Sequence, residues 1–308
     1  MNTNFDLIVI GAGITGLVTA HHAAEAGLKV ACVEQLMFGG LVVNINELAP
    51  SPDPRHHSGV DLASDWMERM LELGVDYLNA SASGLAAAGA DIEVTTSEGP
   101  LKAARVVLAT GARLRRLGIP GESEFENRGV SGCADCDAPM HADRDVVVIG
   151  GGDSAMQEAL VLARFCRSVQ MVCRDAALHG RRELVDAMLA EPKVRCRFHC
   201  EPQAIRGGQE VEEVLVNDRA AGTSVALPCS GVFVYVGLQP AADGLAAGLA
   251  VDDDGFIRID DHGATSIPGV LAAGAARAGF GGTLEHAIAD ARMAAAAAVE
   301  ALARRPRS

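Results

Sequence analysis

The feature that most constrains this chain is a strand, a glycine-rich turn and a helix in direct succession, written twice. The first copy opens with the apolar run Asp6-Leu7-Ile8-Val9-Ile10 and the turn Gly11-Ala12-Gly13-Ile14-Thr15-Gly16. Residues 17–27 follow at helical spacing, and Lys29–Val33 form the next strand, ending on Glu34. Glycines at this spacing permit the tight turn and let backbone N–H groups approach a pyrophosphate at the helix N-terminus. Glu34 sits where an acid accepts from a ribose hydroxyl. The second copy runs from Val146–Ile149 through Gly150-Gly151-Gly152-Asp153-Ser154-Ala155 to a helix over 156–165 and a strand over 168–172. That strand ends in Cys173-Arg174, with no acid at its end. Two such units predict two dinucleotides. Arg174, Arg181 and Arg182 suit a 2′-phosphate, which favours NADPH over NADH at the second.

Between the two copies lies Ser131-Gly132-Cys133-Ala134-Asp135-Cys136-Asp137. A C-x-x-C pair can close to a small-ring disulfide and reopen by exchange. A structural zinc site would need four ligands, and there is no second C-x-x-C. Beside a nucleotide-binding turn the pair reads as a redox relay.

The net charge of −14 disfavours nucleic acid and anionic membrane surfaces as partners. The first apolar run leads straight into a glycine turn, which reads as a buried strand and not as a signal peptide. No apolar stretch is long enough to span a bilayer. The other six cysteines lack framework spacing, which predicts a reducing cytoplasm.

Pro50, Pro52 and Pro54 mark an irregular loop that carries His56-His57. Two neighbouring histidines seldom complete a metal site, and none is assigned. Val60–Leu73 reads as an amphipathic helix with Leu62, Trp66, Met70 and Leu73 on one face. Short strands are expected at 75–78, 91–96, 106–108, 211–217 and 230–236. Val194, Cys196, Phe198 and Cys200 alternate with Arg195, Arg197 and His199, which predicts one half-buried strand in preference to a Cys/His metal site. An Ala-rich helix over about 283–302 ends the chain.

These motifs, in this order, resemble the low-molecular-weight, bacterial-type thioredoxin reductases, FAD-dependent pyridine nucleotide-disulfide oxidoreductases. The resemblance covers nearly the whole chain and implies an α/β fold of two Rossmann-like domains, the second inserted into the first. It places an FAD-binding domain at 1–113 and 243–308 and an NAD(P)H-binding domain with the dithiol at 114–242. Gly11, Gly13, Gly16, Glu34, Gln35, Gly40, Leu41, Thr110, Gly111, Gly274, Ala275, His286 and Ala287 fall at FAD positions. Gly150, Gly152, Asp153, Ser154, Arg174, Arg181 and Arg182 fall at NADPH positions. Cys133 and Cys136 correspond to the redox pair and Asp137 to its acid–base group.

The resemblance further implies a homodimer and a domain rotation on the crossings at 109–111 and 237–240. Electrons would pass from NAD(P)H through FAD and the dithiol to a thioredoxin-like protein. A dithiol oxidase, a reductase of a small disulfide and a degenerate flavoprotein kept for binding are the other functions open at this point. Departures from the family cluster at the flavin end. Ala275 replaces an Asp, Glu285-His286-Ala287 replaces Arg-Gln-Ala, and Leu41 and Pro50 stand where Gln and Asn are usual. Cys173-Arg174-Asp175 replaces His-Arg-Arg at the second nucleotide. Weaker FAD binding is expected from these losses.

Overall fold

A computed structural model describes residues 3–48, 51–242, 244–245 and 247–304. The chain divides into two compact units, Met1–Arg113 with Gln239–Ser308, and Leu114–Leu238. The return crossing falls earlier than the 242/243 boundary read from the sequence. The reason is local pairing: Ala112–Leu114 (β7) and Leu238–Pro240 (β16) lie side by side as a two-stranded ribbon.

The first unit is built on one sheet. Its strands are β1 (Asn4–Ile10), β2 (Val30–Glu34), β3 (Asp76–Asn79), β4 (Ala82–Ala88), β5 (Asp91–Thr96), β6 (Gly99–Leu108) and β17 (Val270–Ala272). Their order is β3-β2-β1-β6-β5-β4, with β17 also on β6. The β1, β2, β3, β6 and β17 pairings are parallel, and the β4–β5–β6 pairings antiparallel. Strand β6 can serve both because β5 and β17 share one of its edges, β5 along residues 99–103 and β17 along 106–108, while β1 runs along the other edge from Lys102 to Leu108. Parallel strands covered on both faces read as continuous apolar runs, which explains 6–10. Leu7 and Val9 enter one core with Cys32 and Val107; Ile8 and Ile10 enter the other with Ala31 and Val106.

Helices α1 (Ile14–Glu25), α2 (Gly59–Glu72) and α6 (Leu284–Ala303) cover the first of these faces. Ala287, Ala291, Ala294, Ala295 and Ala298 form the buried stripe of α6. Small side chains let α1 come close enough for Thr19 Oγ1, which also bonds the Thr15 carbonyl of its own helix (2.7 Å), to reach the Ala291 carbonyl of α6 (3.3 Å). Ser58 and Asp61 form a reciprocal capping box at the start of α2. Leu62, Trp66 and Met70 are buried as the periodicity predicts, but Leu73 is 44% exposed. Leu73 is the C-cap, and the chain turns away at Gly74 with φ +76°, so it leaves the apolar face. Strand β4 was not read from the sequence: its Ser-Gly-Leu-Ala-Ala run carries no β-branched residue.

The second unit has the parallel sheet β11 (Val194–Arg197), β10 (Ser168–Val172), β9 (Asp145–Ile149), β15 (Gly231–Val234) and β8 (Val130–Ser131), in that order. Helices α3 (Ala134–Asp137), α4 (Asp153–Phe165) and α5 (Arg182–Ala190) belong to it. So does an antiparallel sheet of β12 (Cys200–Gly207), β13 (Val211–Asp218) and β14 (Thr223–Pro228). The single strand expected over 194–200 is two. His199 takes φ +56°, β11 stops at Arg197, and β12 begins at Cys200. The alternation itself survives the turn, with Arg195, Arg197 and His199 exposed and Cys200 buried.

Met70→Ala is expected to lower unfolding free energy by about 2–5 kcal/mol, the usual range for emptying a core site. Leu73→Ala should stay within about 0.5 kcal/mol, as for other exposed positions. Urea denaturation of the two variants checks the assignment; equal losses would return Leu73 to the core.

Candidate functional site

In the first unit the glycine turn is held by backbone contacts that leave no space for a side chain. A Cβ on Gly11 (φ +102°) would lie 2.3 Å from the Ala109 carbonyl oxygen. A Cβ on Gly16 would lie 1.8 Å from that of Gly11. Gly13 and Gly111 differ: the nearest atom to a Gly13 Cβ is 3.9 Å away, and none lies within 4 Å at Gly111. The Glu34 carboxylate is fixed against the turn, Oε2 accepting from Ala12 N–H (2.8 Å) and Oε1 from Leu36 N–H (2.9 Å). Gly39 N–H donates to the Ala12 carbonyl (2.7 Å). Gly40 starts a short 3-10 turn on which Leu41 is 47% exposed, and Gln35 is exposed. The buried Thr110 Oγ1 has no hydrogen-bond partner. Open backbone at Gly13 and Gly111, a fixed acid at Glu34 and an orphaned hydroxyl at Thr110 fit the adenine half of a flavin dinucleotide.

The residues expected at the other end of the site lie at Gly274 and the start of α6. Gly274 (φ +69°) abuts Thr15, and its N–H donates to Asp290 Oδ2 at 2.9 Å. Asp290 is 7% exposed and pairs with Arg277 through two hydrogen bonds of 2.6 and 2.8 Å. A charged residue on the buried Ala stripe was the available sequence signal for this pair, and sequence reading passed over it. Ala275 brings no acceptor here. Ala287 is buried. His286 is exposed, and its Nδ1 lies 2.8 Å from Thr283 Oγ1, the N-cap of α6. Pro50 lies outside the described residues.

In the second unit Cys133 and Cys136 are joined by a disulfide, with Cα atoms 5.4 Å apart. Ser131 Oγ accepts from Cys133 N–H (3.0 Å), and Cys133 caps α3, its Sγ accepting from Cys136 N–H (3.2 Å). Cys133 is half-buried, Cys136 exposed and Asp137 half-buried. A donor aimed at Cys133 Sγ favours the thiolate there once the disulfide opens. Two residues that sequence reading missed stand behind the pair. Glu158 Oε2 accepts from Ala134 N–H (2.9 Å) and from Tyr235 O–H (3.0 Å). Burial pushes the Glu158 carboxyl up. Nothing in a helix position or a strand end marks either residue; only the fold brings them together.

The second glycine turn borders a cleft of about 430 Å³ lined by Gly150, Gly152, Cys173, Arg174, Asp175 and Tyr235 among others. A Cβ on Gly150 (φ +140°) would meet the Tyr235 carbonyl oxygen at 2.2 Å. Asp153 starts α4 and Ser154 is exposed. Arg174 lines the cleft with 71% of its side chain exposed and lies 3.7 Å from Asp175, which is 3.4 Å from His179. The other two predicted arginines are engaged elsewhere and do not line it. Arg181 Nε donates to Asp153 Oδ2 (3.0 Å), and Arg182 faces Asp186 at 3.5 Å.

His56 is 8% exposed with Nε2 at 3.3 Å from Asp65 Oδ2, while His57 is exposed. The two histidines therefore do not share a ligand position. Among the described residues, His21, His22 and Glu25 bring donor atoms within 4.8 Å of one another. The Arg69 guanidinium, stacked on Trp66 at 5.0 Å, adds a positive charge beside them, which opposes a cation.

Residues 5–298 match the family model of the pyridine nucleotide-disulphide oxidoreductases. The thioredoxin reductase of Treponema pallidum (strain Nichols) is 36% identical, over 97% of this chain and 97% of its own length. The crystal structure of Lactococcus lactis thioredoxin reductase (FR conformation) is similar with a TM-score of 0.93 at 31% identity, covering 98% of this chain and 100% of that one. The T. acidophilum thioredoxin reductase structure gives 0.91 at 26% identity, with the same coverage of 98% and 100%. No described helix is long and apolar enough to cross a membrane.

Asp290→Ala should strand the Arg277 guanidinium, which is 17% exposed, and the Gly274 N–H together. Breaking a buried pair from one side costs about 3–5 kcal/mol. Thermal unfolding should show it; a loss below about 1 kcal/mol would mean that water replaces the carboxylate.

Proposed function

The chain belongs to the pyridine nucleotide-disulphide oxidoreductases, and within them to the thioredoxin reductases, and from that premise we propose its function. It is a flavoprotein disulfide reductase that passes electrons from NAD(P)H through FAD and the Cys133/Cys136 dithiol to a thioredoxin-like protein disulfide. The observation that carries this reading is a closed Cys133–Cys136 disulfide in the same unit as a glycine-turn cleft, with a second glycine turn in the other unit. Bound FAD supplies the two-electron chemistry that links the nucleotide to the disulfide.

The chain's own residues do the rest. Gly11 and Gly16 close the turn that brings the open backbone of Gly13 to the FAD pyrophosphate, and Glu34 takes the ribose. Gly150 and Gly152 do the same for the nicotinamide nucleotide. Once reduced, Cys133 attacks the partner disulfide as a thiolate held by Cys136 N–H, and the leaving sulfur departs with a proton. Cys136 then attacks Cys133 Sγ of the mixed disulfide, closing the ring and releasing the second partner thiol. Asp137 supplies and receives the protons.

The finer choice of NADPH over NADH rests on Arg174. With Arg181 on Asp153 and Arg182 beside Asp186, Arg174 is the one of these three arginines that lines the cleft, and Asp175 offsets part of its charge. A homodimer in a reducing cytoplasm completes the proposal, and the six remaining free thiols are in keeping with that compartment.

Cys133→Ser and Cys136→Ser should each abolish NADPH-driven disulfide turnover. Cys136→Ser should also trap the protein partner as a mixed disulfide, visible on a non-reducing gel. Turnover at parental rate in either variant would sink the relay. Arg174→Ala should raise the KM for NADPH about tenfold while leaving that for NADH nearly unchanged, as for loss of one charged hydrogen bond. Equal effects on both nucleotides would overturn the assignment.

A further inference from the structure

Behind the dithiol stands an arrangement that the relay described above does not use. The Ala134 N–H, next in the chain after Cys133, lies within hydrogen-bonding distance of Glu158 Oε2 (2.9 Å) and of Tyr235 Oη (3.1 Å). Tyr235 O–H in turn donates to the same Glu158 oxygen (3.0 Å). Glu158 comes from α4, the helix that follows the second glycine turn, and Tyr235 from just past the end of β15. Tyr235 is 7% exposed and Glu158 is half-buried. Two donors aimed at one carboxyl oxygen favour the ionised form. Burial and the neighbouring Asp135 work against that charge, and the Ala134 and Tyr235 donors work for it. Tyr235 is itself pushed up by burial and by Glu158, so it stays a neutral donor.

We infer that Glu158, seated by Tyr235, is a positioning residue that holds the backbone between the two cysteines and places a negative charge beneath them. That charge makes the Cys133 thiol harder to ionise and the disulfide harder to reduce. A nearby anion disfavours a thiolate and leaves the neutral disulfide untouched, so the couple becomes more reducing wherever thiolate contributes to the reduced form. The exchange is balanced by glutathione: protein disulfide and two glutathione thiols give protein dithiol and one glutathione disulfide. This inference rests on Cys133 and Cys136 being the working pair.

The test uses the whole protein and needs neither flavin turnover nor a protein partner. In a Cys136→Ser background, alkylation of Cys133 by iodoacetamide is followed against pH by mass spectrometry of its peptide. The other thiols interfere little, since burial pushes up the thiols of Cys32, Cys173 and Cys229 to about 12 and of Cys166 to about 11, and also raises Cys196 and Cys200.

Glu158→Gln keeps the shape and an acceptor for Ala134. It should move the midpoint of the Cys133 profile to lower pH and speed alkylation at neutral pH about three- to tenfold. In the two-cysteine protein it should shift the glutathione equilibrium towards dithiol by a similar factor; tenfold is about 30 mV. Tyr235→Phe removes the donor that keeps Glu158 charged, so it should shift both readouts the same way by less. It also stands in for Glu158→Gln should that variant fail to fold. An unmoved midpoint overturns the inference, and so does a uniform change in rate at every pH, which would report exposure alone. If the parent shows no disulfide turnover, the functional reading fails while these profiles remain informative. If the parent turns over and the profiles coincide, the inference alone fails.

Discussion

The structure depends on backbone meeting backbone where a side chain would stand. At Gly11, Gly16 and Gly150 an added Cβ would lie 1.8–2.3 Å from a carbonyl oxygen. No rotamer relieves such a clash, because the obstacle is main chain and not the end of a flexible side chain. These contacts bring the first turn of α1 against the end of β6 and the turn before α4 against the end of β15. Each helix N-terminus is thereby set at the carboxyl end of a parallel sheet, where an α/β fold opens its crevice.

This is also why so much of the fold was legible. A steric demand met by glycine is local in sequence, so two turns with their flanking apolar runs announce two nucleotide-binding units. What the chain hides is pairing between distant side chains. Arg277 with Asp290, and Glu158 with Tyr235, are each ordinary residues until the fold brings them together. The misplaced features have the same origin. Arg181 suits a phosphate by type and position, yet Asp153 takes its guanidinium. Leu73 keeps helical period, but the helix ends beneath it. The strand expected through His199 breaks because that residue takes a left-handed conformation that periodicity does not reveal.

The two glycine units also show how a shared scaffold diverges at one position. At the end of β2, Glu34 accepts from Ala12 N–H in the turn. Just past the end of β10, Cys173 Sγ donates to the Gly150 carbonyl (3.2 Å), reversing the sense of the hydrogen bond. A carboxylate offers the ribose a fixed acceptor; a thiol whose proton already points into the turn offers none. Further along the second cleft stand Arg174 and Asp175.

A protein that trades electrons through sulfur carries the hazard of its own spare sulfur. Six further thiols share the chain with Cys133 and Cys136, and five of them are buried. Exchange requires thiolate, and a thiol pushed up to about 12 is ionised in only about one molecule in 10⁵ at neutral pH. Burial that began as core packing thus insulates the circuit. The buried cysteines that fill the sheets are thereby made poor partners for exchange, and can stay where volume wants them.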